Sequence, residues 1–255
     1  MGKDLRLAGD GAGYPSNLAG TMRMRRATVI TRSDYADFLG VYDTGRDGFP
    51  AATSERRPAD ADRHVAENTY GFTGVDMGST RAVIITGPGF QDEEYVYPYY
   101  RLLEEGFDVQ VATKDGVEVK GKYGVPARAT MATTALDAST FDLVLLPGGF
   151  EAPDRVRLLP EVIAFVREMN ARGKLIAAIC HGPWILVTAD ICRGRRMTGF
   201  WSIEADLRNA GADYQHKAPV VVDGNLITSP HYQNNPDFMR AVVDWMAARA
   251  ADKVA

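Results

Sequence analysis

The sequence has little of what would indicate a disulfide framework, a membrane span or a nucleic-acid surface. Its 255 residues include only two cysteines, and the formal net charge is −4, so no basic field attracts phosphates. No apolar run approaches the roughly 20 residues of a membrane-spanning helix. We therefore expect neither a nucleic-acid nor a membrane partner. The cysteines Cys180 and Cys192 read as unpaired thiols, and the first residues lack a secretory apolar segment, which together favour a reducing cytoplasm.

Histidines are also few, and their spacing matters. The four are His64, His181, His216 and His231, and no two of them have the spacing typical of metal ligands. We therefore expect no metal. A charge-mixed surrounding makes His64 most simply a residue of a solvated loop.

The chain divides by texture into residues 1–80 and residues 81–255. The first part is rich in Gly, Pro, Asp and Arg and shows little periodicity, apart from one strand-like piece at 27–31 and a short helical piece at 33–41. We predict a largely irregular N-terminal extension. If it is ordered, its aromatic residues favour packing across a neighbouring subunit or over the mouth of a site.

Residues 81–255 alternate strand-like and helix-like segments, which predicts an α/β fold with an open, mostly parallel sheet between helices. The predicted strands are 82–86, 107–112, 141–146 and 175–179, with hairpins at 116–125 and 220–228. The predicted helices are 92–105, 161–172, a helix running to 191, 203–211 and 236–250. Chemistry in such folds gathers at the carboxyl ends of the strands.

One strand end carries a thiol. The apolar run 175–179 is followed at once by Cys180 and His181, and Gly182-Pro183 then opens a helix. A cysteine on such a strand-to-helix turn faces the first free N–H groups of the helix, so we expect its thiolate to be favoured. The alternative is a small buried core residue, which is how we interpret Cys192.

Two further strand ends add a carboxyl and a glycine pair. Glu94 lies one turn inside the helix after the first strand, where its side chain can point towards the top of the sheet. Gly148-Gly149 allow backbone N–H groups to approach a ligand closely, and with the N–H of His181 they could form an oxyanion hole. By itself the glycine pair indicates only a tight turn.

Together these motifs resemble the ThiJ/PfpI superfamily. The resemblance rests on Ala178–Pro183, Leu146–Gly149, Glu94 placed four residues before Pro98, and Ala152–Arg157. It covers about residues 81–247. It implies a flavodoxin-like fold of the class I glutamine amidotransferase type, which agrees with the alternation of strands and helices.

The resemblance also implies roles for individual residues. Cys180 is the implied nucleophile, Glu94 the carboxyl hydrogen-bonded to it, and Gly149 and His181 the oxyanion donors. In peptidase-like relatives an acid from the adjacent subunit orients the histidine, and that position falls on Asp154. This implies self-association into at least a dimer, although aspartate is one methylene shorter than the expected glutamate.

Departures from the family pattern suggest a specialised substrate. His231 follows the last hairpin, and we hypothesise that it lines the Cys180 pocket, with an exposed loop histidine as the alternative. Trp184 and Trp201 give one wall of the site an aromatic character, unless the core absorbs them.

Three functions remain open from the sequence. The first is a cofactor-free cysteine enzyme acting on a small carbonyl compound by hydration, hydrolysis or a glyoxalase-III-like rearrangement, and a specialised pathway enzyme is its narrower form. The second is an oligomeric cysteine peptidase or amidase built from Cys180, His181 and Asp154. The third is a redox or stress sensor in which Cys180 is oxidised reversibly.

Overall fold

The computed structural model describes residues 80–254, with side chains through Ala250. The predictions for the N-terminal extension, including the strand at 27–31, the helical piece at 33–41 and the loop around His64, lie outside the described residues.

A seven-stranded sheet forms the centre of the described structure. Its strands are β1 (Arg81–Ile85), β2 (Asp108–Thr113), β5 (Met131–Ala132), β6 (Leu143–Leu146), β7 (Leu175–Ile179), β10 (Val221–Asp223) and β11 (Leu226–Ser229). The spatial order is β10-β11-β7-β6-β1-β2-β5. Every neighbouring pair is parallel except the β10–β11 hairpin, so the predicted mostly parallel sheet is confirmed.

The central strands are buried on both faces. Alternate residues of β6 contribute to different cores, with Val144 and Leu146 packing on one face and Leu143 and Leu145 on the other. This alternation follows from the two-residue period of a strand. It also explains why the sequence of these strands is a continuous apolar run rather than an alternating one.

Helices cover both faces of the sheet. They are α1 (Asp92–Glu104), α2 (Glu151–Val156), α3 (Pro160–Ala171), α4 (Pro183–Thr188), α5 (Glu204–Asn209) and α6 (Asn235–Val254). Side chains of α3, α4 and α5 belong to one core, and side chains of α1 and α6 to the other. The helix ends fit the local sequence, since Pro160 and Pro183 stand at the first helical position, where a missing N–H costs nothing.

The remaining elements are short. A small hairpin joins β3 (Val119–Lys120) to β4 (Pro126–Ala127), as the sequence predicted, and β8 (Arg196–Met197) pairs in parallel with β9 (Asp213–Tyr214). The sequence did not predict β5, β8, β9 or α2. The helix after Cys180 was predicted to reach residue 191 but ends at Thr188, because the chain turns there towards a positive φ at Asp190.

None of the helices within residues 80–254 combines the length and the hydropathy that a membrane crossing requires.

Candidate active site

The strands β1, β6 and β7 are neighbours in the sheet, so the loops after their carboxyl ends converge. These loops carry Glu94, Gly148 and Cys180. A side chain added at Gly148 would lie 2.5 Å from both Cβ of Cys180 and Oε2 of Glu94. The three predicted strand ends therefore meet at a single point.

Cys180 sits in a strained backbone conformation. Its φ is +61°, which lies in a region that residues other than glycine rarely adopt. The turn is held from both sides, because the Cys180 N–H donates to the Ser229 carbonyl at 2.9 Å and the Cys180 carbonyl accepts from the Phe200 N–H at 2.8 Å. This is the sharp strand-to-helix turn that the sequence predicted. Such strain persists only where the surrounding structure fixes it.

Glycine is required where the backbone passes close to these groups. At Gly148 the obstacle is steric, because a Cβ would collide with Cys180, Glu94 and the His181 nitrogen. Gly149 has a φ of +85°, and a Cβ there would lie 2.5 Å from the carbonyl oxygen of Gly89. The Gly-Gly pair is therefore part of the site and not only a turn.

Glu94 is completely buried beside the thiol. Its Oε2 accepts a hydrogen bond of 2.8 Å from the Gly148 N–H. Its Oε1 is buried without a close hydrogen-bond partner, while the Cys180 side chain and the Tyr232 N–H lie near enough to act on the carboxyl. Burial raises the pKa of Glu94 to about 8, so the carboxyl keeps its proton at neutral pH.

The use of the Gly148 N–H corrects one sequence prediction. Because that N–H donates to Glu94, it is not free for an oxyanion. The backbone N–H groups of Gly149 and His181 are the ones that interact with the Cys180 sulfur and lower the thiol pKa. A hole for developing negative charge is thus limited to these two donors.

A second expectation, that the Cys180 thiolate is favoured at the turn, does not hold for the net effect: the backbone N–H groups do lower the thiol pKa, but burial raises it by more. Cys180 is 6% exposed, and burial raises the pKa of its thiol; Glu94 raises it further once that carboxyl is ionised. The N–H groups of Gly149 and His181 only partly oppose this. The loss of hydration outweighs the turn's dipoles, so the resting state of the pair is a neutral thiol beside a neutral carboxylic acid.

His181 bridges the thiol and the open side of the site. Its Nδ1 lies 3.2 Å from Cys180 Sγ, and its Nε2 lies 3.2 Å from Ser202 Oγ. Burial lowers the pKa of the imidazole, which favours the neutral base. A neutral imidazole beside a thiol can accept the thiol proton as the sulfur attacks.

Aromatic rings form the wall next to His181, as predicted. Phe200 stacks on His181 at 4.8 Å between ring centroids, and Trp184 meets it edge-on at 5.1 Å. Trp184 also donates its indole N–H to Asp206 at 3.1 Å. Trp201 is 61% exposed and packs on Phe200, so the core does not absorb it.

His231 lies at the same wall, one ring removed from His181. Its ring stacks at 6.0 Å on both Phe200 and Trp201, and its Nδ1 accepts the Gln233 N–H at 3.3 Å. Burial lowers its pKa. The structure therefore places His231 near the site entrance, but not in contact with the sulfur.

Asp154 is not brought to the site within one chain. It is exposed on α2, and it makes no hydrogen bond or ion pair with the residues described here. Both nitrogens of His181 face other groups. A role for Asp154 requires a second copy of the chain.

The sequence did not single out three groups that shape the site. Ser202 faces His181, the Tyr232 N–H faces Glu94, and Asp92 binds the Tyr123 and Val125 N–H groups at 2.9 Å each, which fixes the β3–β4 hairpin against α1. Only Asp92 had a signal, as an acid at a helix start. The other two depend on pairings between segments that are distant in the chain.

One cavity among the described residues lies away from the cysteine. It is an open groove of about 1120 Å³ between α1, the β3–β4 hairpin and the start of α6, lined by Tyr97, Tyr100 and Tyr123 among others. Within residues 80–254, no three His, Cys, Asp or Glu side chains converge as a metal site would need. The chemistry available around Cys180 is that of sulfur, carboxyl and imidazole.

Comparisons with known proteins identify one family over the α/β part of the chain. A sequence model of the DJ-1/PfpI family matches residues 80–245. A deglycase of Pyrococcus abyssi is 44% identical over 150 residues, which cover 58% of this chain and 89% of that protein. Protein/nucleic acid deglycase 2 of Escherichia coli is 36% identical over 176 residues, covering 68% of this chain and all of that protein. The crystal structure of Drosophila melanogaster DJ-1β superposes with a TM-score of 0.63 at 28% identity, covering 69% of this chain and 97% of that one.

Proposed function

The chain belongs to the DJ-1/PfpI family, and on that premise we propose that it is a cofactor-free cysteine enzyme that converts small 2-oxoaldehydes, free or as adducts, into 2-hydroxy acids. Cys180 is the nucleophile, His181 the base and Glu94 the acid that hydrogen-bonds the sulfur. The deglycases among its relatives support this class of substrate.

The observation that carries the proposal is the completely buried Glu94 carboxyl beside the thiol. Glu94 is completely buried and its pKa is raised to about 8, so at neutral pH it offers an O–H to the sulfur. A carboxylate there would repel a thiolate, whereas a carboxylic acid stabilises it. The site can therefore generate the nucleophile at the moment of attack, although burial opposes a resting thiolate.

The first step adds the thiol across the aldehyde. Cys180 Sγ bonds to the aldehyde carbon, the thiol proton moves to His181 Nδ1, and the carbonyl electron pair moves to oxygen. The N–H groups of Gly149 and His181 stabilise the resulting oxyanion, which then takes the proton from the imidazolium. The product is a hemithioacetal.

The second step moves hydrogen within the substrate, and the third releases it. His181 removes the proton from the former aldehyde carbon and the neighbouring carbon regains one, which isomerises the hemithioacetal to the thioester of a 2-hydroxy acid. Water then adds to the thioester, the C–S bond breaks and the thiol recovers its proton. The net reaction consumes one water and needs no redox partner.

The test is to follow methylglyoxal consumption together with lactate formation by the full chain and its variants. Lactate formation that is lost in Cys180→Ala and reduced in Glu94→Gln supports the proposal, with Cys192→Ala as the matched control. Methylglyoxal-treated N-acetylcysteine used as substrate shows whether the enzyme also acts on an adduct. Absence of turnover on both substrates, while Cys180 still reacts with iodoacetamide, contradicts it.

The peptidase and redox-sensor hypotheses stay predictions. A peptidase site would need Asp154 of another subunit next to His181, and peptide hydrolysis that Asp154→Ala abolishes would favour it. A sensor would show a sulfenic or sulfinic mass shift on Cys180 at low peroxide and no carbonyl turnover.

A further inference from the structure

We propose that Ser202 is a positioning residue that holds His181 in the Nε2–H tautomer and so leaves Nδ1 free to accept the thiol proton. The inference rests on the proposed function for its catalytic consequence, but not for its structural content. It is based on two contacts of the His181 ring. Nδ1 lies 3.2 Å from Cys180 Sγ, and Nε2 lies 3.2 Å from Ser202 Oγ.

Hydrogen-bond accounting selects the tautomer. Glu94 Oε2 accepts the Gly148 N–H, and when the protonated acid donates its O–H to the sulfur, the S–H proton is directed to another acceptor. His181 Nδ1 is the acceptor within reach. Nδ1 is then unprotonated, Nε2 carries the hydrogen, and this N–H donates to Ser202 Oγ. The opposite tautomer would aim two donors at the sulfur and leave the thiol proton without a partner.

The backbone ties Ser202 to the nucleophile turn. Ser202 is the middle residue of a 3-10 turn, Trp201–Ile203, whose last side chain is completely buried. The preceding residue, Phe200, donates its N–H to the Cys180 carbonyl at 2.8 Å and accepts the Ile203 N–H at 3.0 Å. The hydroxyl and the sulfur are thus held by one connected backbone network, although 21 residues separate Ser202 from His181.

A serine hydroxyl at His181 Nε2 has a different effect from a carboxylate. A carboxylate at Nε2 would stabilise the imidazolium and promote a thiolate–imidazolium pair, whereas a neutral hydroxyl stabilises only the hydrogen's position. Ser202 is exposed, so its own O–H can donate to solvent while Oγ accepts from Nε2. Within a single chain, the position that an acid from a second subunit would need is already occupied.

In the proposed reaction, Nδ1 is therefore the only nitrogen of His181 that takes up the thiol proton. As the C–S bond forms, the S–H proton passes to Nδ1 and the electron pair of the carbonyl moves to oxygen. Nε2–H remains bonded to Ser202 throughout, so the ring does not rotate. Loss of Ser202 would leave the neutral ring free to exchange tautomers, and the fraction with an open Nδ1 would fall.

The experiment reads the tautomer directly by ¹⁵N NMR of histidine-labelled full-length protein without substrate. The His181 signals are assigned by their loss in His181→Gln. The wild type is expected to show one tautomer, with the hydrogen on Nε2. Ser202→Ala is expected to show exchange between both tautomers, and Ser202→Thr, which keeps the hydroxyl, to restore one. Ser139→Ala, in the exposed turn that precedes β6, is the matched control and should change nothing.

A second readout is the rate of Cys180 alkylation by iodoacetamide and, where turnover exists, kcat and KM. Ser202→Ala is expected to lower the alkylation rate and kcat roughly fivefold, the effect of one ordinary hydrogen bond, with KM unchanged. An unaltered single tautomer in Ser202→Ala overturns the proposal. The proposal is also overturned if Asp154→Asn changes the tautomer of His181 and Ser202→Ala does not. Because the NMR arm uses no substrate, the proposal can be judged even if no 2-oxoaldehyde is turned over.

Discussion

Cys180, at a strand end, and Cys192, in a loop, are buried to a similar degree but have different polar groups around the sulfur. Both thiols are free and buried, at 6% and 1% exposure. Burial raises the pKa of Cys192 to about 12 and raises the pKa of Cys180 as well. Burial and pKa therefore do not distinguish Cys180, the proposed nucleophile, from Cys192, for which we propose a packing role.

The difference lies in the polar groups that surround each sulfur. Cys180 has a positive φ, a buried carboxylic acid, an imidazole nitrogen at 3.2 Å and two backbone N–H groups. Cys192 packs with apolar side chains such as Ala189 and Ala212, and the charges that act on it are those of Asp190 and Arg195. A buried thiol becomes a nucleophile only where a base can take its proton and donors can receive the charge.

Exchanging each cysteine for alanine gives the largest expected contrast. Cys180→Ala should lower turnover of a 2-oxoaldehyde by roughly a thousandfold or more, because no covalent intermediate can form. Cys192→Ala should keep turnover and lose only a little stability through lost packing. Steady-state kinetics and thermal unfolding of both variants measure this. Equal losses in both would show that the two environments are not functionally distinct.

The next contrast uses the glycine that allows the groups of the Cys180 environment to meet. Gly148→Ala places a methyl group 2.5 Å from both Cys180 and Glu94, so we expect turnover to fall about 100-fold through misplacement of the sulfur. Gly173→Ala is the matched control, because a Cβ there meets nothing within 4 Å although its φ is +62°. It should cost about 1 kcal/mol of stability without loss of turnover. Full turnover in Gly148→Ala would mean that the close approach is not needed.

Glu94→Gln tests the acid itself. An amide still donates to the sulfur but more weakly and without a transferable proton, so we expect turnover to fall roughly tenfold. Glu93→Gln on the same helix is the control and should retain activity. Wild-type turnover in Glu94→Gln would show that the carboxyl has no part in catalysis.

The same variant changes how stability depends on pH. The folded pKa of Glu94, about 8, lies above its ordinary value of 4.5, so the folded state binds the proton more tightly than the unfolded chain. Stability from this group is then complete below about pH 4.5 and falls as the pH rises towards 8, by up to roughly 5 kcal/mol. Denaturant unfolding across that window should show a decline in the wild type that is absent from Glu94→Gln. A parallel decline in both would contradict the raised pKa.

The smallest expected effect comes from the aromatic wall. His231→Ala removes a ring that stacks on Phe200 and Trp201, and it should change KM roughly threefold with little change in kcat. His216→Ala, an exposed histidine paired with Glu204, is the control. Unchanged turnover and substrate preference in His231→Ala would exclude a role for this ring in the site.

Much of this site could be predicted from the sequence because its parts are local patterns. A buried strand followed by Cys180, a strand followed by Gly148-Gly149, and a helix carrying Glu94 each predict one loop, and the order of parallel strands brings the loops together. The two-residue strands β5, β8 and β9 have too little periodicity to be recognised. The family resemblance supplied the roles that the patterns alone left open.

The remaining features depend on tertiary contacts that no local sequence pattern indicates. The thiolate expectation was wrong because a helix start is visible in the sequence, whereas the burial that outweighs it is not. Ser202 reaches His181 across 21 residues without a motif. A role for Asp154 depends on a second copy of the chain. The sequence could therefore identify the acidic residue but not its position relative to His181.

The most direct test of the account is an infrared difference spectrum between the wild type and Glu94→Gln at pH 7. The account predicts a carbonyl band of a protonated carboxylic acid that is present in the wild type, absent from the variant, and replaced by a carboxylate band as the pH passes about 8. A carboxylate band in the wild type at pH 7 would mean that Glu94 is ionised beside the thiol, and the proposed origin of the Cys180 nucleophile would be contradicted.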